Sequence, residues 1–343
     1  MRNVYEEKLN KIWVSADFPD AVIPARKYKL DDPVISVVIP VHNAELYLRS
    51  CIDSILSQKL SVPIEIIAVN DNSNDRSNVI LEQYKHKHNI WVYQAEQQGA
   101  SGARNTGIRH ARGKYLIFVD ADDRIVYDNY FQDLFDRITE TEADLVQSGY
   151  IKTDGLVTLS TFTPKYEEVK GYARMRETIP GFSWGKIMKA ELFEGICFPA
   201  DYWFEDSIFH MVILKRCGKA AFIKETGYAY YKNLQGITYS KDRTKRSIEA
   251  VTVIGKILEM MRAAGMEFDE ETTETVLEHI GVVLANRIRK LSLFEQRTAF
   301  LYMSEIIKEL PPLEENLMYR IYKNRRFVLW KLTCLERKLF RGK

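Results

Sequence analysis

Residues 33–45 read PVISVVIPVHNAE: a Val- and Ile-rich run from 34 to 41, broken only by Ser36 and Pro40, that stops abruptly at His42-Asn43-Ala44-Glu45. A short β-branched run, apolar at nearly every position, predicts a strand covered on both faces, as in a parallel sheet. The same pattern recurs at 64–69, 90–94, 115–119 and 144–148, with helix-periodic segments between them at 45–58, 75–88, 101–112 and 128–141. Strands alternating with helices predict βαβ units, hence an α/β, Rossmann-like fold with a mostly parallel sheet. From 150 to 240 the pattern predicts strands near 156–162 and 220–231 and helices near 185–194 and 206–217. After Tyr239 the β pattern disappears, and 244–264, 270–291, 294–310 and 314–340 read as four helices parted by Gly265, Ser292 and Pro311-Pro312. The expected organisation is an N-terminal extension, 1–33, lying on the domain that follows it, an α/β domain, 34–240, and an α-helical C-terminal domain, 241–343.

Composition narrows the function classes. With 49 Lys and Arg against 47 Asp and Glu, the net charge is +2 over 343 residues, so no global basicity points to nucleic acid. Apolar residues at 46% and charged ones at 28% describe a globular chain able to bury a core. Cys51, Cys197, Cys217 and Cys334 show neither a CxxC pair nor zinc spacing, which reads as buried thiols in a reducing compartment. The opening MRNVYEEKLNKIW is too charged for a signal peptide, and no stretch approaches the roughly 20 apolar residues of a membrane span. The expected location is cytoplasmic.

In open α/β sheets, ligands bind beyond the carboxyl ends of the strands, so the residues just after each run carry the chemistry. The second run ends in Asn70-Asp71-Asn72-Ser73-Asn74-Asp75, a composition that also suits a turn and helix cap. The fourth ends in Asp120-Ala121-Asp122-Asp123. Three carboxylates within four residues repel one another unless a cation or donor groups neutralise them. Oxygen ligands at such a place suit Mg²⁺ or Mn²⁺, which bridges carboxylates to phosphates; the alternative is a cluster capping the next helix. Between these turns, Gln98 to Gly107 forms a Gly- and Ser-rich entry to a helix, able to turn backbone N–H groups toward phosphate. It has neither the P-loop ending nor the dinucleotide glycine spacing.

The order of these pieces resembles family 2 glycosyltransferases of the GT-A fold. The resemblance rests on VISVVIPVHNAELYL (34–48), VNDNSND (69–75), GASGARNTGI (99–108), FVDADD (118–123), WGKIMKAELF (184–193) and FPADYWFEDSIF (198–209), in that order. It implies a UDP-sugar donor, a metal ion (Mn²⁺ or Mg²⁺), and transfer of one sugar with inversion to a glycan, lipid-linked or protein-linked acceptor. By the same resemblance Pro40, Val41, Asn43 and Glu45 hold the base and ribose, and Asp71 accepts the uracil N3–H. The family usually carries two acids where this chain has Asn70-Asp71. Asp120 and Asp122 match its DxD motif, with Asp122 on the metal and Asp120 on ribose, sugar or metal. Ser101, Arg104 and Ala121 join the donor-binding set, Arg104 facing the diphosphate or sugar. Trp184 either stacks on a sugar ring or packs a core. Asp206 is the expected general base, oriented with the acceptor by Glu205; as bare residues, both acids also suit the first turn of a helix.

Between Tyr319 and Lys343 nine Lys and Arg residues face one acid, Glu336, with Leu317, Ile321, Val328, Leu329 and Leu332 near helical spacing. A basic amphipathic helix of this kind suits either an anionic membrane surface or packing on its own domain. These helices could also dimerise or bind the acceptor.

Overall fold

The structure, a computed structural model, describes residues 2–11, 23–24, 29, 32–85, 87, 89–202, 204–234, 236 and 246–341, without the side chains of residues 3, 282, 283 and 335–341. Contacts divide the chain into a sheet unit, Phe18–Asp201 with Val212–Gly236, and a helical unit, Met1–Asp17 with Tyr202–Met211 and Ile237–Lys343.

The sheet unit is built on β1 (Ile35–Val41), β2 (Ile64–Asn70), β3 (Ile90–Gln94) and β4 (Tyr115–Phe118). These four strands run parallel in the order β3-β2-β1-β4. Every residue of β1 is buried, as a run apolar at all positions but Ser36 requires. The polar exceptions are matched: Ser36 donates to buried Glu65 at 2.6 Å, and Arg112 closes on the same carboxylate through Nε at 3.0 Å and Nη2 at 2.8 Å. Helices α2 (Leu48–Leu56), α3 (Ser77–Tyr84), α4 (Gly99–His110) and α5 (Tyr130–Thr141) fill the connections, as the periodicity predicts. Helix α4 approaches β1 so closely that a β-carbon on Gly107 would stand 2.3 Å from Val38 Cγ1, so only glycine permits this contact.

The second half of the sheet is mixed. It adds β5 (Arg124–Ile125), β6 (Leu145–Thr153), β7 (Thr158–Phe162), β8 (Glu168–Lys170), β9 (Lys186–Lys189) and β10 (Lys219–Tyr231), continuing from β4 as β9-β6-β10-β5. Strand β9 corrects the helix expected over 185–194: Lys186–Lys189 pairs antiparallel with both β4 and β6, and only Ala190–Phe193 turns, as a single 3₁₀ element. A strand of four residues flanked on both sides has no alternation to announce it, so sheet pairing overrides the local pattern.

In the helical unit α1 (Arg2–Asn10) packs on the helix Leu293–Lys308. The Arg2 guanidinium pairs with Glu259 at 2.9 Å and Glu309 at 3.5 Å and lies 5.7 Å from the Tyr302 ring. The N-terminal extension therefore does not lie wholly on the α/β domain as expected: its helix belongs to the helical unit, while the Ile23 carbonyl accepts from Gly195 in the sheet unit. Helices Glu249–Ala263, Glu270–Glu278 and Leu293–Lys308 match the expected segments, the last two opened by capping boxes at Asp269–Thr272 and Ser292–Glu295. The expected helix 270–291 breaks at Gly281, and 314–340 breaks between Leu317–Lys323 and Phe327–Arg341, where Arg325 takes a left-handed φ of 52°.

The apolar stripe near the C-terminus is divided. Ile321 and Trp330 are buried, Trp330 packing on Phe300, Tyr322 and Phe327, whereas Val328 and Leu332 are exposed. Among the described residues no helix is long and apolar enough to cross a membrane. All four cysteines are buried.

Candidate active site

Strands β1, β2 and β4 are parallel neighbours, so the polar turns following them open on one edge of the sheet. Val41 pairs in register with Asn70, which brings His42 and Asp71 side by side. The Asp71 carbonyl lies 2.6 Å from His42 Nδ1; a carbonyl only accepts, so that nitrogen carries the proton and Nε2 accepts from Asn43 Nδ2 at 3.1 Å. The Asp71 carboxylate is nearly buried and takes the Gly99 N–H at 2.9 Å. Burial pushes this carboxyl above its ordinary range; His42 and the Gly99 N–H draw it back, and Asp201 adds to the rise.

Two other residues expected to hold a nucleotide, Asn43 and Glu45, bond to the loop after β2. Asn43, at a φ of 48°, donates its N–H to Ser73 Oγ at 3.1 Å and accepts from the Asn74 N–H at 2.8 Å. The Glu45 N–H donates to Asp75 at 2.9 Å while its carboxylate accepts from the Arg76 N–H, also at 2.9 Å. Pro40 and Val41 are buried inside β1, and the Val41 carbonyl takes the Asp71 N–H at 2.8 Å. Asn43 and Glu45 thus tie the loop after β1 to the loop after β2, in which Asp71 lies, and both remain exposed.

Helix α4 begins at Gly99, whose φ of 83° is open to glycine at little cost. Ser101 is 1% exposed, and its hydroxyl has no hydrogen-bond partner among the described residues. One turn on, Arg104 donates to Asp120 Oδ1 at 2.9 Å and lies 5.7 Å from the Phe198 ring. The loop after β2, the start of α4 and the turn after β4 are thus joined by two links, Gly99 to Asp71 and Arg104 to Asp120.

In the acidic turn the three carboxylates take different surroundings. Asp123 is buried, and its oxygens accept from Tyr228 Oη at 2.6 Å and the Tyr231 N–H at 2.7 Å. Burial and the charges of Asp120 and Asp122 hold it well above the usual carboxylate range. Asp122 accepts from Asn233 Nδ2 at 2.9 Å, and burial beside Asp120 raises it too. Asp120 is paired with Arg104 rather than left for a cation alone. Ala121 is buried at 6% exposure. Asp120 and Asp122 are half-buried, so of the three acids these two remain reachable by a cation. Among the described residues no group of three or more His, Cys, Asp and Glu side chains is arranged to hold one unaided.

Tyr228 is a residue that sequence reasoning did not place in the site. It is buried, it stacks on Trp184 with centroids 4.7 Å apart, and its hydroxyl both donates to Asp123 and accepts from the Asp120 N–H at 3.2 Å. A buried tyrosine needs a partner for its hydroxyl, and that requirement is the signal that could have found it. Tyr228→Phe is expected to strand an N–H and a carboxylate oxygen and to lower unfolding free energy by about 1–3 kcal/mol in urea titration.

Trp184 resolves toward the core: it is 6% exposed and sandwiched between Phe182 at 3.6 Å and the Tyr228 ring. It walls the acidic turn through Tyr228. Glu205 and Asp206 fall in the helical unit, where their carbonyls accept from the N–H groups of Ile208 and Phe209 as a helix begins. Asp206 is exposed and Glu205 half-buried.

The family model described as Glycosyl transferase family 2 matches residues 36–194. The glycosyltransferase GlyA of Streptococcus pneumoniae is 34% identical over 216 residues, 59% of this chain and 31% of GlyA. The uncharacterized glycosyltransferase EpsJ of Bacillus subtilis is 35% identical over 221 residues, 60% of this chain and 63% of EpsJ. The chain thus spans less than two thirds of the length of either relative. A crystal structure of S. aureus TarS in complex with UDP-GlcNAc superposes with a TM-score of 0.69 over 90% of this chain and 92% of that one, at 20% identity, which is a likeness of fold.

Proposed function

We propose that this chain, whose residues 36–194 match the Glycosyl transferase family 2 model and whose fold is like that of TarS, moves a single sugar from a UDP-sugar to a hydroxyl of a glycan, lipid-linked or protein-linked acceptor, inverting the anomeric carbon. The observation that carries this reading is the joining of Asp71, Arg104 and the Asp120–Asp122 pair at one strand-end edge. A buried carboxylate suits an imide N–H, and two further acids beside an arginine suit a cation-bound diphosphate. TarS, solved with UDP-GlcNAc, supports a uridine nucleotide as donor.

In this reading Asp71 accepts the uracil N3–H, and Asn43 and Glu45 tie its loop to the loop after β1. Asp122 holds Mn²⁺ or Mg²⁺, with Asp120 beside it; when bound, the ion offsets the negative charge of the leaving diphosphate. Arg104 orients Asp120 and adds positive charge on the same side. Asp206, by its motif, takes the proton of the acceptor hydroxyl, and Glu205 orients acceptor or base.

The reading is tested by thermal stabilisation with UDP-, GDP-, CMP- and dTDP-sugars, each with and without Mn²⁺, followed by product analysis. A metal-dependent shift for a UDP-sugar and release of free UDP are expected. Pyrophosphate release would make the protein a nucleotidyltransferase, and absence of both binding and turnover would make it a noncatalytic scaffold.

A further inference from the structure

Strands β6 and β7 are joined by a turn, residues 153–157, that is tightly built yet apolar where it meets water. The Thr153 hydroxyl accepts the Gly155 N–H at 2.9 Å and donates to the Val157 carbonyl at 2.8 Å. Asp154 Oδ1 takes the N–H groups of Leu156 and Val157, each at 3.0 Å. Gly155 holds a φ of 97°, and a β-carbon there would stand 2.9 Å from Tyr231 Oη. The turn so fixed displays Leu156 at 93% exposure and Val157 at 58%, with Leu159 of β7 at 49%. Single exposed aliphatic residues are ordinary; three within four positions on a braced tip mark an interaction surface.

The tip is tied to the acidic turn. The Lys232 N–H donates to the Thr153 carbonyl at 2.8 Å, and on either side of it the Tyr231 N–H goes to Asp123 at 2.7 Å and Asn233 Nδ2 to Asp122 at 2.9 Å. All of these residues belong to the sheet unit. Lys232 is exposed, as is Lys152, which pairs with Ser160 at the base of the hairpin. The acid of the turn, Asp154, is drawn below its ordinary range by the Val157 and Leu156 N–H groups and also by the charge of Lys232, which places that ammonium near the tip.

The chemistry of the tip selects its occupant. A glycan needs placed donors and acceptors, and those of the turn are spent within it. A second copy of the chain needs an interface of roughly 1,200 Å², far more than three aliphatic side chains offer. A bilayer takes such a tip end on, with aliphatic side chains among the acyl chains and lysines at the level of anionic headgroups. We propose that the β6–β7 turn docks the protein on an anionic bilayer surface, Leu156 and Val157 entering the lipid between Lys152 and Lys232. The consequence for the reaction rests on the glycosyltransferase reading above and narrows it: a docked tip brings the acidic turn to the surface on which a lipid-linked acceptor presents its hydroxyl.

The test is flotation of the full chain with vesicles of phosphatidylglycerol and phosphatidylcholine in equal parts, and with phosphatidylcholine alone, beside UDP titration and sedimentation without lipid. The wild type is expected to float with the anionic vesicles and far less with the neutral ones. Leu156→Ser combined with Val157→Ser is expected to weaken vesicle binding by roughly tenfold to a hundredfold. Melting temperature and UDP affinity are expected to stay unchanged in that variant, because both side chains already face water. Lys152→Gln combined with Lys232→Gln is expected to weaken binding to anionic vesicles by about tenfold and to leave neutral ones alone. A wild type that floats with neither vesicle overturns the inference, as does a tip variant that floats like the wild type. Loss of flotation in Val328→Ser with Leu332→Ser alone overturns it in favour of the C-terminal helix. A dimer without lipid that the tip variant abolishes overturns it in favour of a second copy. Failure of the wild type to bind UDP overturns the donor reading, while the vesicle result still decides this inference by itself.

Discussion

Asp206→Asn is expected to lower turnover by roughly 10²–10⁴ while leaving UDP affinity intact. The substitution removes the basicity of the side chain and almost none of its shape. Asp206 stands exposed where a helix begins, its carbonyl accepting the Phe209 N–H at 2.9 Å. Asparagine is well accepted at a helix start, so the local fold is kept, and the lost attraction between an acid and the helix dipole costs only about 0.3–1 kcal/mol. The two roles open to this acid therefore separate cleanly. A helix-start role predicts a small fall in stability with turnover unchanged; a general base predicts collapse of turnover with stability nearly unchanged. Steady-state rates with a UDP-sugar, measured beside urea unfolding and UDP titration, decide between them, and near-normal turnover would refute the base assignment. Glu205→Gln in the same assays distinguishes its neighbour: a residue that orients the acceptor is expected to raise KM more than it lowers kcat.

The parts of this molecule that were legible from sequence are those specified by local pattern. The runs ending at Val41, Asn70 and Phe118 are apolar on both faces, and parallel pairing is the arrangement that covers both faces of such strands. The strand-end positions of Asp71, Asp120 and Asp122 were legible because each lies just after such a strand. What escaped is assembled from distant segments. Tyr228 and Tyr231, more than a hundred residues after Asp123, meet it because the long strand β10 crosses the sheet, and no local spacing encodes that meeting. Asn233 reaches Asp122 by the same route. Strand β9 escaped for a related reason: its four residues are strand only because β4 and β6 leave a slot between them. For Asn43 and Glu45 the position at a strand end was legible, but residue type could not reveal that their hydrogen bonds go to the neighbouring loop.

Asp122→Asn is expected to abolish the metal-dependent part of UDP affinity, lowering affinity measured with Mn²⁺ by about 10²-fold and leaving affinity measured without metal unchanged. The geometry makes this variant cleaner than most charge removals. Asp122 Oδ2 accepts from Asn233 Nδ2 at 2.9 Å, and the carbonyl oxygen of an asparagine accepts the same bond. The charge that is lost is one the unliganded fold bears at a cost, since burial and the Asp120 carboxylate both raise the Asp122 carboxyl above its ordinary range. Removing it is expected to leave the unliganded protein as stable as before or more so at neutral pH, where the ionised form is the costly one. A residue that served only the fold would behave in the opposite way, losing stability on substitution and keeping the response of UDP affinity to metal. The same titration on Asp120→Asn places the two acids in order: Asp120 is held by Arg104 at 2.9 Å, so its loss also releases that arginine and is expected to weaken UDP with and without Mn²⁺. Unchanged metal-dependent UDP affinity in Asp122→Asn would remove this acid from the cation site and leave the acidic turn as a buried polar network organised by Tyr228.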